Sequence, residues 1–114
     1  MSACLFCRII KREIPAEIVH EEPDVLAFKD IHPQAPTHLL IIPTQHIETV
    51  ADLDASRVFV VDRMILAANQ LARQAGLVSS GFRLVMNCGA GAGQSVWHLH
   101  LHLLGGRPMH WPPG

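Results

Sequence analysis

The stretch SVWHLHLHLLGG, residues 95–106, carries a histidine at every second position: His98, His100 and His102. Leucines stand at Leu99, Leu101 and Leu103. On a strand, residues two apart share a face, so the three imidazoles line one side and the three leucines the other. Alternate strand residues stand about 6.5–7 Å apart. At that spacing two neighbouring imidazoles converge on one small anion or metal ion, but three do so poorly. The row therefore divides into a pair plus one. Such a row serves as a solvated sheet face, as a metal chelate completed by a further protein ligand, or as a nucleophile. An imidazole with a pKa of about 6.5 is largely neutral at neutral pH. Its unprotonated nitrogen can attack phosphorus when a carbonyl holds the other N–H.

The preceding segment NCGAGAGQS, residues 87–95, bears on that choice. Gly89, Gly91 and Gly93 admit positive φ and close approach of a ligand to the backbone. Successive N–H groups in such a loop form an anion nest. Asn87, Gln94 and Ser95 add hydrogen-bonding side chains. A flexible connector would use the same glycines, but beside the histidine row a phosphate cradle is the stronger expectation. The segment is no dinucleotide fingerprint, because a strand rather than a helix follows it.

The elements that must position these groups are legible from periodicity. CLFCRIIKR (4–12) has helical apolar spacing, Leu5 with Ile9 and Phe6 with Ile10, and predicts a short helix. A short strand follows Pro15, DVLAFKD (24–30) alternates as a strand, and THLLIIP (37–43) is a continuous apolar run expected at the centre of a sheet. Residues 54–75 change period. Val58, Val61, Ile65, Ala68 and Ala72, with Val60, Met64 and Leu71, form an apolar face suited to a helix lying on a sheet. Asp54 is the expected N-cap and Gly76 the left-handed stop. FRLVMN and VWHLHLHLL are the last strands. The expected class is α+β: an antiparallel sheet of about five strands, one long helix and a short N-terminal helix.

Composition sets outer limits. A chain of 114 residues that is 49% hydrophobic reads as one domain, 1–114, with material for a core without disulfides. No apolar run approaches the roughly 18 residues of a membrane helix. Charge arrives too early in MSACLFCRIIKR for a signal peptide, and three cysteines, an odd number, argue against a secreted disulfide framework. The expected compartment is the cytoplasm. A net charge of −1 without a basic stripe leaves no nucleic acid as expected partner.

Two stretches, DIHPQAPTHLLIIPTQH (30–46) and GQSVWHLHLHLLGGRPMHWPPG (93–114), resemble the histidine-triad (HIT) family, in particular its branch that cleaves purine nucleoside phosphoramidates. The resemblance runs from about Cys4 to the last residue, and the triad carries no substitution. It implies that His100 is a nucleophile forming a nucleotidyl-histidine intermediate. It implies that His102 contacts the phosphate and that His38 orients the triad. Asn87, Gly93, Gln94 and Ser95 match positions that hold the phosphate or the departing group. Asp30 matches the acid that grips the ribose. Phe6, Ile9, Phe28, Ile31 and Leu40 match the apolar purine pocket, although Phe28, Leu40 and Ile9 would serve equally as plain core. The departing amine would take its proton by way of His102 or Ser95, and no metal is needed for this chemistry.

Cys4 and Cys7 form a Cys-x-x-Cys on the N-terminal helix. The pair is a redox couple, two buried small residues, or half of a tetrahedral zinc site. His98, left over from the row, and His46 are the candidate nitrogens, and the resemblance to bacterial relatives with two Cys and two His implies structural zinc. Cys88 is an extra thiol beside the glycine loop. His20, His32 and His110 receive no role. The resemblance further implies a homodimer whose tail, residues 105–114 with Trp111, approaches the partner's active site on the leaving-group side; a tail folded on its own subunit is the alternative. Competing functions are a purine nucleotide sensor without turnover, a dinucleoside polyphosphate hydrolase, which the short chain and the HWPPG ending disfavour, and a zinc-binding structural module.

Overall fold

The structure, a computed structural model, describes residues 3–114. Five strands form one antiparallel sheet: β1 (Ile18–Glu21), β2 (Val25–Lys29), β3 (Thr37–Pro43), β4 (Phe82–Val85) and β5 (Leu101–Gly105), in the order β1-β2-β3-β5-β4. Two helices accompany them, α1 (Leu5–Ile10) and α2 (Phe59–Gln74). The expected fold class is therefore the observed one, with the THLLIIP run as the central strand.

The continuous apolar character of β2 and β3 has a direct cause: both faces of these strands are covered. Val25, Ala27, Leu39 and Ile41 point towards α2 and pack with Val60, Met64, Ala67, Ala68, Leu71 and Ala72. Leu26, Phe28, Leu40 and Ile42 point the other way and pack with Phe6 and Ile9 of α1. Leu99, Leu101 and Leu103 all join the α2 side. The intervening histidines consequently face the α1 side, where the smaller cluster leaves room for a cavity.

Two boundaries differ from expectation. Regular β5 pairing begins at Leu101, so His98 and His100 precede the strand although the alternation continues through them. The ladder that pairs Ile41 with Leu101 would next need the Pro43 region opposite Leu99. There the Leu99 N–H donates instead to the Ile47 carbonyl at 2.6 Å, and the Pro43 carbonyl accepts from the His98 ring at 2.8 Å. The long helix begins at Phe59 rather than after Asp54. Asp54 does cap a turn, its Oδ1 accepting the N–H groups of Ser56 at 3.0 Å and Arg57 at 3.1 Å. That turn then tightens, with Val60 N–H bonding Arg57 and Val61 N–H bonding Val58, before regular helix starts. Val58 is exposed as a result. Gly76 ends the helix region at φ +72°, as predicted.

Leu103 is fully buried between the sheet and α2. Leu103→Ala is expected to lower stability by about 2–5 kcal/mol, read as a reduced urea midpoint; an unchanged midpoint would place the core elsewhere.

Candidate active site and metal cluster

A cavity of about 370 Å³ opens on the α1 side of the sheet. Its apolar wall includes Phe6, Ile9, Phe28, Ile31 and Leu40, and its polar end holds Asp30, Ser95, His100 and His102. Nine of the side chains singled out from the sequence thus converge on one space. Sequence reasoning missed Leu5, Ile14, Pro15, Ala16, His32 and Val96, which also line it. Ile14, Pro15 and Ala16 belong to the EIPAE connection after α1, whose residues had no period to attract notice.

The histidine hydrogen bonds assign the ring protons. His100 Nδ1 lies 2.7 Å from the His98 carbonyl oxygen. A carbonyl only accepts, so Nδ1 carries the proton and Nε2 is left with its lone pair. The ring packs edge-on against Phe6, with centroids 5.1 Å apart at 90°. A second chain of bonds begins in the loop between β2 and β3. The Gln34 N–H donates to His38 Nδ1 at 3.0 Å. Neutral His38 then carries its proton on Nε2, which donates to His102 Nδ1 at 2.9 Å. His102 is left as a donor through Nε2. Asp30 Oδ2 stands 3.4 Å from His38 Nε2.

Burial lowers the His38 pKa, with Asp30 opposing it. Burial also pushes His102 down to about 4, helped by His100 and His38 and opposed by Asp30. Both rings are neutral at pH 7, as the bonding chain requires. Asp30, His38 and His102 also lie close enough to be considered as metal ligands. Both nitrogens of His38 are already engaged, one as acceptor and one as donor, so the three form a hydrogen-bond relay instead.

The glycine loop takes its shape in part from its own hydrogen bonds. A 3-10 turn spans Ala90–Ala92, between Gly89 at φ +87° and Gly93 at φ +92°. The turn closes the loop on itself: the N–H groups of Ala92 and Gln94 donate to the Gly89 carbonyl, and that of Gly93 to Ala90. Gln94 is buried, with Oε1 accepting the Gly89 N–H at 2.8 Å and Nε2 donating to the carbonyls of Glu48 at 2.8 Å and Val96 at 3.1 Å. Its side chain holds the loop shape. Asn87, Gly93 and Gln94 do not line the cavity; Ser95 does. Cys88 is exposed beside the loop.

Cys4, Cys7, His46 and His98 converge on the other side of α1, with all ligand atoms within 4.8 Å of one another, and can hold a metal ion. Cys4 Sγ is 3.5 Å from His98 Nδ1, Cys7 Sγ is 3.3 Å from His46 Nδ1 and 3.6 Å from His98 Nδ1, and the two Nδ1 atoms are 3.2 Å apart. Local structure builds this group. Cys4 caps α1, its Sγ accepting the Cys7 N–H at 3.4 Å. His98 donates Nε2–H to Pro43, which leaves Nδ1 as the ligand atom. His98 therefore faces both centres, its ring in the cluster and its carbonyl on His100.

Of the remaining histidines, His20 pairs with Glu22, and His110 offers its carbonyl to Arg83. Trp111 is 84% exposed, so the tail does not bury it on its own subunit. Among the described residues no helix is long and apolar enough to cross a membrane.

This constellation, three alternating histidines over a cavity with an apolar wall, falls within a recognised class. The chain belongs to the HIT domain family, whose profile matches residues 11–109. It is similar to the purine nucleoside phosphoramidase of Escherichia coli (strain K12), at 50% identity over 105 residues that cover 92% of this chain and 88% of that protein. Among solved structures it is similar to the HIT family hydrolase from Legionella pneumophila Philadelphia 1, with a TM-score of 0.95 and 53% identity over 97% of this chain and 99% of that one. The HIT family hydrolase from Clostridium thermocellum Cth-393 gives a TM-score of 0.94 at 47% identity, covering 96% of each chain.

The His102 ring titrates at about 4 in the fold against 6.5 unfolded. The unfolded chain therefore binds more protons between those values, and stability rises with pH across the window. Urea midpoints should fall as pH drops from about 6.5 towards 4, and His102→Gln should make the decline shallower. An identical slope in that variant would contradict the buried neutral ring.

Proposed function

We propose that this protein is a nucleotide hydrolase that cleaves the P–N bond of purine nucleoside 5′-phosphoramidates through a nucleotidyl intermediate on His100. The observation that carries the proposal is the tautomer of His100, whose Nδ1–H donates to the His98 carbonyl and whose Nε2 keeps a lone pair in the cavity. The purine stacks among Phe6, Ile9, Phe28, Ile31 and Leu40, and the Asp30 carboxylate accepts from the ribose hydroxyls. This order sets the α-phosphorus at the polar end.

Nε2 of His100 attacks the phosphorus, the P–N bond breaks, and a phosphoryl-imidazolium forms. His102 Nε2–H and the Ser95 hydroxyl stabilise the charge on the phosphoryl oxygens. The leaving amine takes one proton from one of these two donors. Water then attacks the same phosphorus, returns that proton to the donor, breaks the Nε2–P bond and releases AMP or GMP. The similarity to a purine nucleoside phosphoramidase supports this reaction over the sensor and dinucleoside polyphosphate alternatives. His100→Ala is expected to abolish turnover of an adenosine phosphoramidate while AMP binding persists, and rapid quenching of wild type should trap an adduct on His100. Undiminished turnover in that variant would remove the nucleophile, and tight AMP binding by an inactive wild type would favour the sensor.

The metal cluster is best read as a structural zinc site held by Cys4, Cys7, His46 and His98. Tetrahedral zinc, with bonds of about 2.0–2.1 Å to nitrogen and 2.3 Å to sulfur, sets ligand separations of about 3.3 Å between nitrogens and 3.6 Å between nitrogen and sulfur. The observed 3.2 Å and 3.3–3.6 Å fit that geometry. Zinc there would supply a cross-link between α1 and the histidine segment and no reacting atom. A cytoplasmic setting, where thiols stay reduced, suits such ligands. Protein purified without chelator should carry about one zinc per chain, lost in Cys7→Ala; a metal-free wild type would exclude the site. A homodimer completes the proposal, supported by the unpaired edge of β4 and by Trp111 and Leu66, exposed by 84% and 63%.

A further inference from the structure

Arg107 lies outside the cavity and outside the metal cluster, yet its guanidinium is tied to the loop that governs the triad. Its Nε–H donates to the Gln34 carbonyl at 2.9 Å. The N–H of that same residue is the donor to His38 Nδ1. One residue thus receives a bond from the C-terminal segment on its carbonyl and gives a bond to the relay histidine from its amide. The adjoining residue makes a second tie. Gly106 has φ +91° and lies so close to Pro36 that a Cβ built on it would fall 2.9 Å from the Pro36 Cβ. The segment after β5 therefore grips the β2–β3 loop at two points, Pro36 and Gln34, on either side of Ala35. The loop is held at its other end by Asp30, whose N–H donates to the His38 carbonyl and whose Oδ1 accepts the His32 N–H.

The placement matters because a neutral imidazole has two tautomers of similar energy, and only the environment chooses between them. If Gln34 swings away, His38 Nδ1 loses its donor. Its proton is then kept on Nε2 only by His102 Nδ1 and by the Asp30 carboxylate 3.4 Å away, and the Nδ1 tautomer, which turns Nε2 into an acceptor facing His102, becomes accessible. His102 would answer by moving its own proton to Nδ1, and the donor on its Nε2 would be lost.

We propose that Arg107 is a positioning residue for the reaction: by holding Gln34 it fixes the proton on Nε2 of both His38 and His102, and so supplies the donor that faces the phosphoryl group. This rests on the assignment of His100 and His102 to phosphoryl transfer. Arg107 touches no substrate. It acts through two backbone groups of one loop residue and one histidine, a path of three hydrogen bonds of 2.9, 3.0 and 2.9 Å. A side chain on the protein surface would thereby decide the protonation pattern of a buried pair.

The test compares Arg107→Ala, Arg107→Lys and Gln34→Pro, the last removing the N–H while keeping the carbonyl. Two readouts are taken: ¹⁵N spectra of the His38 and His102 rings without substrate, and kcat and KM on an adenosine phosphoramidate. Wild type should show a single tautomer at both rings. Arg107→Ala should show mixed tautomers and a kcat lowered by about three- to tenfold with KM little changed. Arg107→Lys, which can still donate to the Gln34 carbonyl, should recover most of both. Gln34→Pro should be at least as severe, and adding Arg107→Ala to it should cost little more, since both act on one path. A merely structural role would lower the melting temperature and leave the tautomers and kcat of the folded fraction unchanged, and that result overturns the proposal. If Arg107→Ala does not fold, an unchanged pair of tautomers in Gln34→Pro overturns it as well. An inactive wild type that still loses its single tautomer in Arg107→Ala would fault the phosphoramidase assignment and leave the positioning role intact.

Discussion

The bond from His100 Nδ1–H to the His98 carbonyl is the constraint on which the site depends. It fixes which nitrogen of the central histidine keeps a lone pair, and it does so with a backbone group that cannot lose or gain a proton. A side-chain acceptor would titrate, and the tautomer would follow it. The bond is available because the ordinary sheet ladder ends just before it. His98 and His100 precede the regular pairing of β5, so their backbone groups are released for other partners.

His98 links two centres that would otherwise be independent. Its ring belongs to the Cys4, Cys7 and His46 cluster, and its carbonyl belongs to the cavity. The same cluster ties down α1, whose Phe6 lies edge-on to the rings of His98 and His100 with centroids 5.9 and 5.1 Å away. The helix has only six residues and would be marginal by propensity alone. Its place is set by the sulfur and nitrogen groups at its start and by the burial of Phe6 and Ile9 on the sheet. The apolar wall of the cavity and the His100 ring therefore share one anchor.

The two faces of the sheet divide labour. The α2 face holds the larger cluster and most of the buried aliphatic side chains, so it carries the stability of the fold. The α1 face holds the smaller cluster, the cavity and the polar histidines. Burying neutral imidazoles on that face costs desolvation, and the relay of hydrogen bonds through Gln34, His38 and His102 offsets part of it.

Much of this was legible in the amino-acid sequence, because period and residue type act locally. The alternation of His98, His100 and His102 with leucines determines which side chains share a face, whatever the strand pairs with. The apolar runs of β2 and β3 mark central strands, the change of period marks the long helix, and Gly76 marks its end. The spacing in the histidine row separates one member from the other two, and His98 is the one that joins Cys4, Cys7 and His46. Tertiary structure alone decided the rest. The start of β5 depended on the Ile47 carbonyl, which takes the Leu99 N–H, and on the His98 ring, which takes the Pro43 carbonyl. The sequence does not show how Gln94 is used: its side-chain amide ties the Gly89 N–H to the carbonyls of Val96 and of Glu48, a residue 46 positions away. Arg107 and Gln34 carried no sequence signal, since the groups through which Gln34 joins Arg107 to His38 are its main-chain carbonyl and N–H. A hydrogen bond to the main chain leaves no mark on residue type, so only the folded chain reveals which carbonyl and which N–H a distant side chain has found.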